Sequence, residues 1–418
     1  MNASVAMSGR ERAALWDRLR PGLSGDDAEL TARVIWSVLA EPGDGIAGQM
    51  IADLGAAPAL RLVLRRNAFA TAAALRAEAT AIARAVAQAY DEQGREPLPG
   101  VRAGFLRWHP RMTGTLIETV FAMAAASRCT LLTPADQHWP PGMSDLNDHA
   151  PLVLWCLGDP ALLAEFSHAV ALVGTRASTG YGTHVATELA AGLADRDWTV
   201  VSGGAYGIDA AAHRAALAAK GRTVAVMAGG LNSFYPRGNS ELLARVARDG
   251  AVVAEVPFGT PPTPFRFLAR NRLIAAMASA TVVVEAGRRS GSINTANHCG
   301  ELGRPLGAVP GPITSPTSGG CHYLLREQPA QLVTSVEDVV ELASGREGPA
   351  PEPLADPDDP RYGRVITALS ATRARRLSDV AARCGLSETE AATLLGVLLL
   401  DGTVRSGDAG WVSVPRRE

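Results

Sequence analysis

Between about Pro151 and Val340 the sequence repeats one pattern: a short apolar run without alternation, a glycine-containing turn, then a helical stretch. The apolar runs are Ala169–Val173, Thr199–Ser202, Thr223–Met227, Val252–Val256, Thr281–Glu285 and Leu306–Val309. A strand with one wet face alternates apolar and polar residues, whereas a parallel strand covered on both faces does not. The intervening stretches, such as Gly182–Ala194, Ile208–Ala219, Asn239–Arg248, Phe265–Met277 and Ile293–Leu302, are long enough to be crossover helices. Repeated βα units predict an α/β fold, a doubly wound Rossmann-like parallel sheet. Right-handed crossovers would then gather the loops that follow the strands along one edge.

The flanks read differently. From about Arg10 to Trp108 the pattern is helical. Leu30, Val34, Ile35 and Leu39 form one stripe, and an Ala-rich stretch runs from Asn67 to Gln93. Beyond Val340 lies SGREGPAPEPLADPDDP (344–360), whose Pro, Gly and acidic residues read as a linker. After it, Arg361–Ser370, Ser378–Cys384 and Ser387–Leu400 read as helices, with a Ser387/Glu390 capping box. A hairpin signal around Gly407–Gly410 follows. Three helices and a hairpin suggest a winged helix. The expected domains are a helical N-terminal domain (1–125), a Rossmann-like domain (126–343), a linker (344–360) and a C-terminal winged helix (361–418). The winged-helix recognition helix, SETEAATLLGVLLL, has no Lys or Arg and begins with two acids, which suits a protein contact better than a phosphate backbone.

With 40 Lys and Arg against 42 Asp and Glu, the net charge is −2, so any nucleic-acid surface must be a local patch. Cys129, Cys156, Cys299, Cys321 and Cys384 show no paired or metal-ligand spacing and read as reduced, buried thiols. Neither a signal-type apolar run nor a membrane-spanning length appears, so a cytoplasmic location without membrane attachment is expected. No metal or cofactor is implied.

Three groups of residues carry chemistry. The first turn, VGTRASTGYG (173–182), places glycines and Arg176 after a strand, where backbone amides, a helix start and a guanidinium can meet an anion. Its spacing is not that of a dinucleotide fingerprint. The second, SGGAYGID (202–209), offers Gly203, Gly204 and Gly207 as a second anion-accepting turn, with Asp209 and His213 one helical turn apart and expected to pair. The third comprises Tyr235-Pro236-Arg237, the stretch PPTPFRFLARNR (261–272) and EAGRRSGSINT (285–295). Strand-end convergence would gather Arg176, Arg237, Arg270, Arg272, Arg288 and Arg289 into one cleft, among Tyr206, Phe258, Phe265 and Phe267. Cations with interleaved rings suit a single nucleic-acid strand, although Phe267 above all could be core. No nucleophile or paired carboxylate with catalytic context is found, so no catalytic residue is assigned.

VGTR, SGGAYGIDAAAH, AVMAGGLNSFYP, RNRLIA, VVVEAGRRSGSINTA and VPGPI resemble, in order, the signature blocks of the DprA/Smf family over roughly Thr133 to Val340. The resemblance implies a non-enzymatic protein that binds single-stranded DNA, helps load the RecA recombinase in natural transformation or recombination, and forms a homodimer. It implies phosphate-binding roles for Arg176, Gly203, Gly204, Gly207, Arg270 and Arg272, of which Arg272 faces a different side of its helix from Arg270. Glu285, Ser290, Gly291 and Ser292 match the block after the fifth strand. One departure stands out: Tyr206 occupies the place of the family's usual Arg, so stacking by Tyr206 or charge from Arg288 and Arg289 would have to substitute. The alternatives on a related fold are a nucleotide-binding sensor and a nucleotide phosphoribohydrolase. EAGRRSGSINTA lacks the PGGxGTxxE signature and terminal acid of the latter.

Overall fold

The computed structural model describes residues 27–64, 71–345, 360–400, 402–407 and 409–414. Residues 1–26 and most of the expected linker (346–359) lie outside the described residues. The chain divides into two compact units, Met1–Arg346 and Glu347–Glu418, and each is described by itself.

The first unit is built on a nine-stranded sheet. Its strands are β1 (Thr130–Leu132), β2 (Leu154–Gly158), β3 (Ala169–Gly174), β4 (Thr199–Ser202), β5 (Thr223–Met227), β6 (Ala251–Ala254), β7 (Ala280–Glu285), β8 (Leu306–Ala308) and β9 (Ala330–Leu332). The order is β1-β2-β6-β5-β4-β3-β7-β8-β9, parallel from β6 through β9. The chain winds outward from β3 to β6, then returns to β7 on the other side of β3. The topological switch point therefore lies between β3 and β7, where their following turns diverge and leave a crevice.

The anticipated doubly wound α/β architecture is present, with two additions. β1 and β2 pair antiparallel with each other, and β2 pairs antiparallel with β6, so the sheet is mixed. At the opposite edge, β9 carries half-buried Ala330 and exposed Gln331 and Leu332, so it lacked the continuous apolar signature by which its neighbours were recognised.

Adjacent residues of each central strand point to opposite faces. On one face Ala171, Val173, Val201, Val224, Val226 and Val283 pack with helices that include Pro264–Ala276 and Gly291–Glu301. On the other, Val170, Leu172, Val200 and Val282 pack beneath Gly180–Ala194, Ile208–Ala218 and Val336–Ser344. That second set does not reach β2 and β6. There the N-terminal helices, among them Asp27–Leu39, Gly45–Leu54, Val101–Trp108 and Gly114–Ala126, close the layer. Their apolar residues form one continuous cluster with Trp155, Met227, Val252 and Phe258, in which the Trp36 and Trp108 rings meet edge-on at 4.9 Å. The division expected at residues 125/126 is thus not a break between compact units. The helical segment supplies the missing cover of a sheet face that would otherwise be apolar and wet.

The second unit has helices Pro360–Ala368, Leu377–Cys384 and Glu388–Leu400 and a hairpin of Val404–Gly407 with Gly410–Ser413. This is the element order expected of a winged helix. The capping box is formed: Ser387 Oγ accepts from Glu390 N at 3.2 Å, and Glu390 accepts from Ser387 N at 2.9 Å.

Candidate nucleic-acid cleft

The switch point opens into a cleft of about 760 Å³. One wall is the turn after β3, carrying Arg176. Another is the turn after β7, leading through Ser290 into the helix Gly291–Glu301. Between them lies the helix Pro264–Ala276, which presents Phe267, Arg270 and Asn271.

Each piece is fixed by local chemistry. Thr263 caps the helix that starts with Pro264, accepting from Arg266 N, and proline at the first turn sacrifices no bonded N–H. Ser290 Oγ caps the next helix by accepting from Ser292 N at 3.4 Å, and it lies 2.7 Å from Ser292 Oγ. Asn271 donates to Gly291 O and Asn294 Oδ1, which ties the two helices at the cleft edge. Glu285 is buried at the end of β7 and accepts from Thr179 N, Thr179 Oγ1 and Thr317 Oγ1. Its carboxylate is engaged in joining these turns.

Two rings and a guanidinium cluster at the cleft. The Arg176 guanidinium sits 4.9 Å over the centroid of Phe267, and Tyr235 lies 5.6 Å from Phe267. Phe267 is half-buried and faces the cleft, whereas Phe258 is the core ring, packed edge-on against Trp155 at 5.4 Å. Phe265, 56% exposed, does not line this cleft; it faces a separate pocket with Glu41, Arg107 and His149, because helical spacing turns it away from Phe267.

The arginines separate into different roles. Arg176, Arg237, Arg288 and Arg289 are exposed and make no ion pair among the described residues. Arg176 and Arg289 line the cleft; Arg237 and Arg288 do not, Arg237 standing in the turn whose Gly238 meets Tyr206 and the Arg288 stem lying against Gly319. Arg270 also lines it, but is buried and donates to Gly203 O and Val226 O. Arg272 is not in the cleft. It is buried on the other side of its helix, donating to Glu255 at 2.7 Å and to the carbonyls of His149 and Ala269. Strand-end convergence therefore does not bring all the sequence-selected arginines together, because helical spacing turns Arg272 toward the N-terminal helices.

The second glycine turn also differs from expectation. The N–H groups of Gly203 and Ala205 donate to the buried Asp209 carboxylate at 3.2 and 3.3 Å, so the anion they hold is the chain's own. Gly203 is required by close approach: a Cβ there would lie 2.4 Å from the Arg270 guanidinium. Gly207, at φ 75°, would place a Cβ 2.3 Å from Thr175 O, so it lets the second turn rest directly on the backbone beside Arg176. Gly204, also at positive φ, is buried with them.

Burial pushes the Asp209 carboxyl up from the usual range, opposed by Arg270 and the backbone amides, and burial brings Arg270 down to about 10. His213 does not pair with Asp209. Its Nδ1 lies 2.7 Å from Thr223 Oγ1, which donates onward to Val200 O, so Nδ1 carries the proton. Burial, with Arg270 adding to it, depresses His213 to about 3. A histidine held neutral in the folded state takes up a proton more readily when unfolded. Its contribution to stability is complete above about pH 6.5 and is lost progressively as pH falls toward 3. Denaturation midpoints followed over that window should fall, and His213→Asn should flatten the fall. An unchanged pH slope in the variant would contradict this assignment.

Among the described residues no group of three or more His, Cys, Asp or Glu is placed to hold a metal ion. No single described helix is long and apolar enough to cross a membrane. Fold and cleft together define a Rossmann-like α/β protein with a cation- and aromatic-lined crevice at its switch point. The profile described as DNA recombination-mediator protein A matches residues 130–344. A DprA protein of Mycobacterium tuberculosis is 47% identical over 297 residues, covering 67% of this chain and 76% of that one. The Smf protein of Escherichia coli is 37% identical over 294 residues, covering 68% and 78%. The X-ray structure of DNA processing protein A from Streptococcus pneumoniae superposes with a TM-score of 0.55 at 30% identity, covering 74% of this chain and 95% of that one. The chain belongs to the DprA/Smf family of DNA-processing proteins.

Of the residues assembled here, Tyr235, Asn271 and Asp209 were not among the sequence-selected binding residues. Tyr235 was legible only as the start of a Tyr-Pro-Arg turn. Asn271, between Arg270 and Arg272, is uncharged and has no sequence feature that marks it as lining a site. Asp209 was read as a partner of His213.

Proposed function

We propose that the protein binds single-stranded DNA along the switch-point cleft, performs no covalent chemistry there, and presents the strand to a RecA-type recombinase as a homodimer. The observation that carries the reading is the cluster of Arg176 over Phe267, with Tyr235 inclined against Phe267, lining one cleft with a capped helix N-terminus. Rings accept bases of any sequence, and the exposed Arg176 and Arg289 suit phosphates. A duplex hides its base faces and has no use for such rings. Membership of a family of DNA-processing proteins points to the same ligand.

The test is the salt dependence of oligo-dT binding. Arg176→Ala should weaken binding to all sequences alike and reduce the slope of log K against log salt by about 0.7 per lost phosphate contact. An unchanged slope in a folded variant would remove Arg176 from the binding surface.

A further inference from the structure

We propose that a strand leaving the cleft crosses the Tyr235–Gly238 turn and stacks a base on Tyr206, with Arg237 holding the adjoining phosphate. The proposal rests on the cleft reading above and adds a subsite to it.

Tyr206 is 47% exposed, and its ring belongs to no aromatic pair among the described residues. Singly exposed rings are ordinary on protein surfaces. This one is held in place. Its hydroxyl accepts from Gly238 N at 3.3 Å, a close approach in which a Cβ at residue 238 would lie 2.6 Å from that hydroxyl and push the ring aside. On one side the backbone is pinned by Gly207, packed onto the carbonyls of Thr175 and Arg176. On the other, buried Asn239 donates to Gly204 O and Ala205 O at 3.1 and 3.0 Å. The ring is thus anchored at its tip and its base while remaining open to solvent. A fixed aromatic ring loses little freedom on stacking, which favours binding.

The position is continuous with the cleft. Tyr235, 46% exposed, touches Phe267 inside it, and Gly238, which touches Tyr206, is three residues further on, at most about 11 Å along the chain. Arg237 lies between them, exposed and without an ion pair among the described residues. The turn therefore carries a ring, a cation and a second ring in sequence.

The experiment measures anisotropy of labelled oligo-dT of increasing length on the full chain. For strands long enough to reach the wild-type plateau, Tyr206→Ala should weaken binding about tenfold, within the usual worth of one stacked base. For the shortest strands, which fill only the cleft, it should change nothing. Tyr206→Phe, which keeps the ring but loses its tip anchor, should weaken long-strand binding by clearly less than Tyr206→Ala and leave short-strand binding unchanged. Arg237→Ala should lower the salt slope by about 0.7, on long strands only. Tyr206→Ala indistinguishable from wild type at all lengths, while Phe267→Ala still weakens binding, would overturn the subsite and leave the cleft standing. Equal losses in Tyr206→Ala and Tyr206→Phe would show that the hydroxyl merely holds the turn, and would overturn stacking. Absence of single-strand binding by the wild type would overturn both readings.

Discussion

Arg270→Ala is expected to destabilise the folded state by about 3–5 kcal/mol, the usual cost of leaving a buried charge without its partner. Arg270 is 6% exposed and stands beside Asp209, itself buried. Its removal also strips the donor from Gly203 O and Val226 O, at the ends of β4 and β5. Urea denaturation measures the loss. Arg270→Ala combined with Asp209→Ala should recover part of it, because the stranded carboxylate is then gone. A fully stable Arg270→Ala variant that had lost DNA affinity would instead make Arg270 a ligand-binding cation. Arg272→Ala belongs to the same class, since it would orphan buried Glu255. Two arginines of one RNR triplet thus have structural duties on opposite sides of one helix, and the exposed cations of the cleft come from the strand-end turns.

Phe267→Ala is expected to produce the largest loss of single-strand affinity at preserved stability, corresponding to about 1–3 kcal/mol. The half-buried ring is a tile of the cleft, contacted by Arg176 on one side and Tyr235 on another. Its deletion removes a stacking face and lets the Arg176 guanidinium relax from its place. The salt slope should stay near wild type because no cation is lost, which separates this variant from Arg176→Ala. Oligo-dT titrations at several salt concentrations decide it. An unaltered affinity would return Phe267 to a packing role.

Much of this architecture was legible because unalternating apolar runs such as Thr223–Met227 and Ala280–Glu285 have one economical fate, a parallel strand buried on both faces. β1 was too short to register, and β9 is too polar. The helical N-terminal segment was recognised as helical, but its stripe Leu30, Val34, Ile35 and Leu39 could not reveal that its partner is the face of β5 and β6. In the cleft, residue type located Arg176, Arg289 and the Ser290–Ser292 turn. It could not separate Arg270 and Arg272 from surface cations, because burial is set by the carbonyls and carboxylates that the fold brings to them. The glycines at 203 and 207 stand out in the sequence, but the close contacts they permit within the chain are not legible there. They admit Arg270 and the Thr175 carbonyl, and the amides at 203 and 205 hold Asp209 rather than a ligand.

The most direct measurement compares equilibrium binding of a single-stranded oligonucleotide and of its duplex, of equal length, at two salt concentrations. A cleft of rings and exposed arginines predicts tighter binding of the single strand at both, little dependence on its sequence, and a linear fall of log K with log salt. Tighter binding of the duplex, or single-strand binding that survives both Phe267→Ala and Arg176→Ala unchanged, would contradict the assignment of the switch-point cleft as the DNA site.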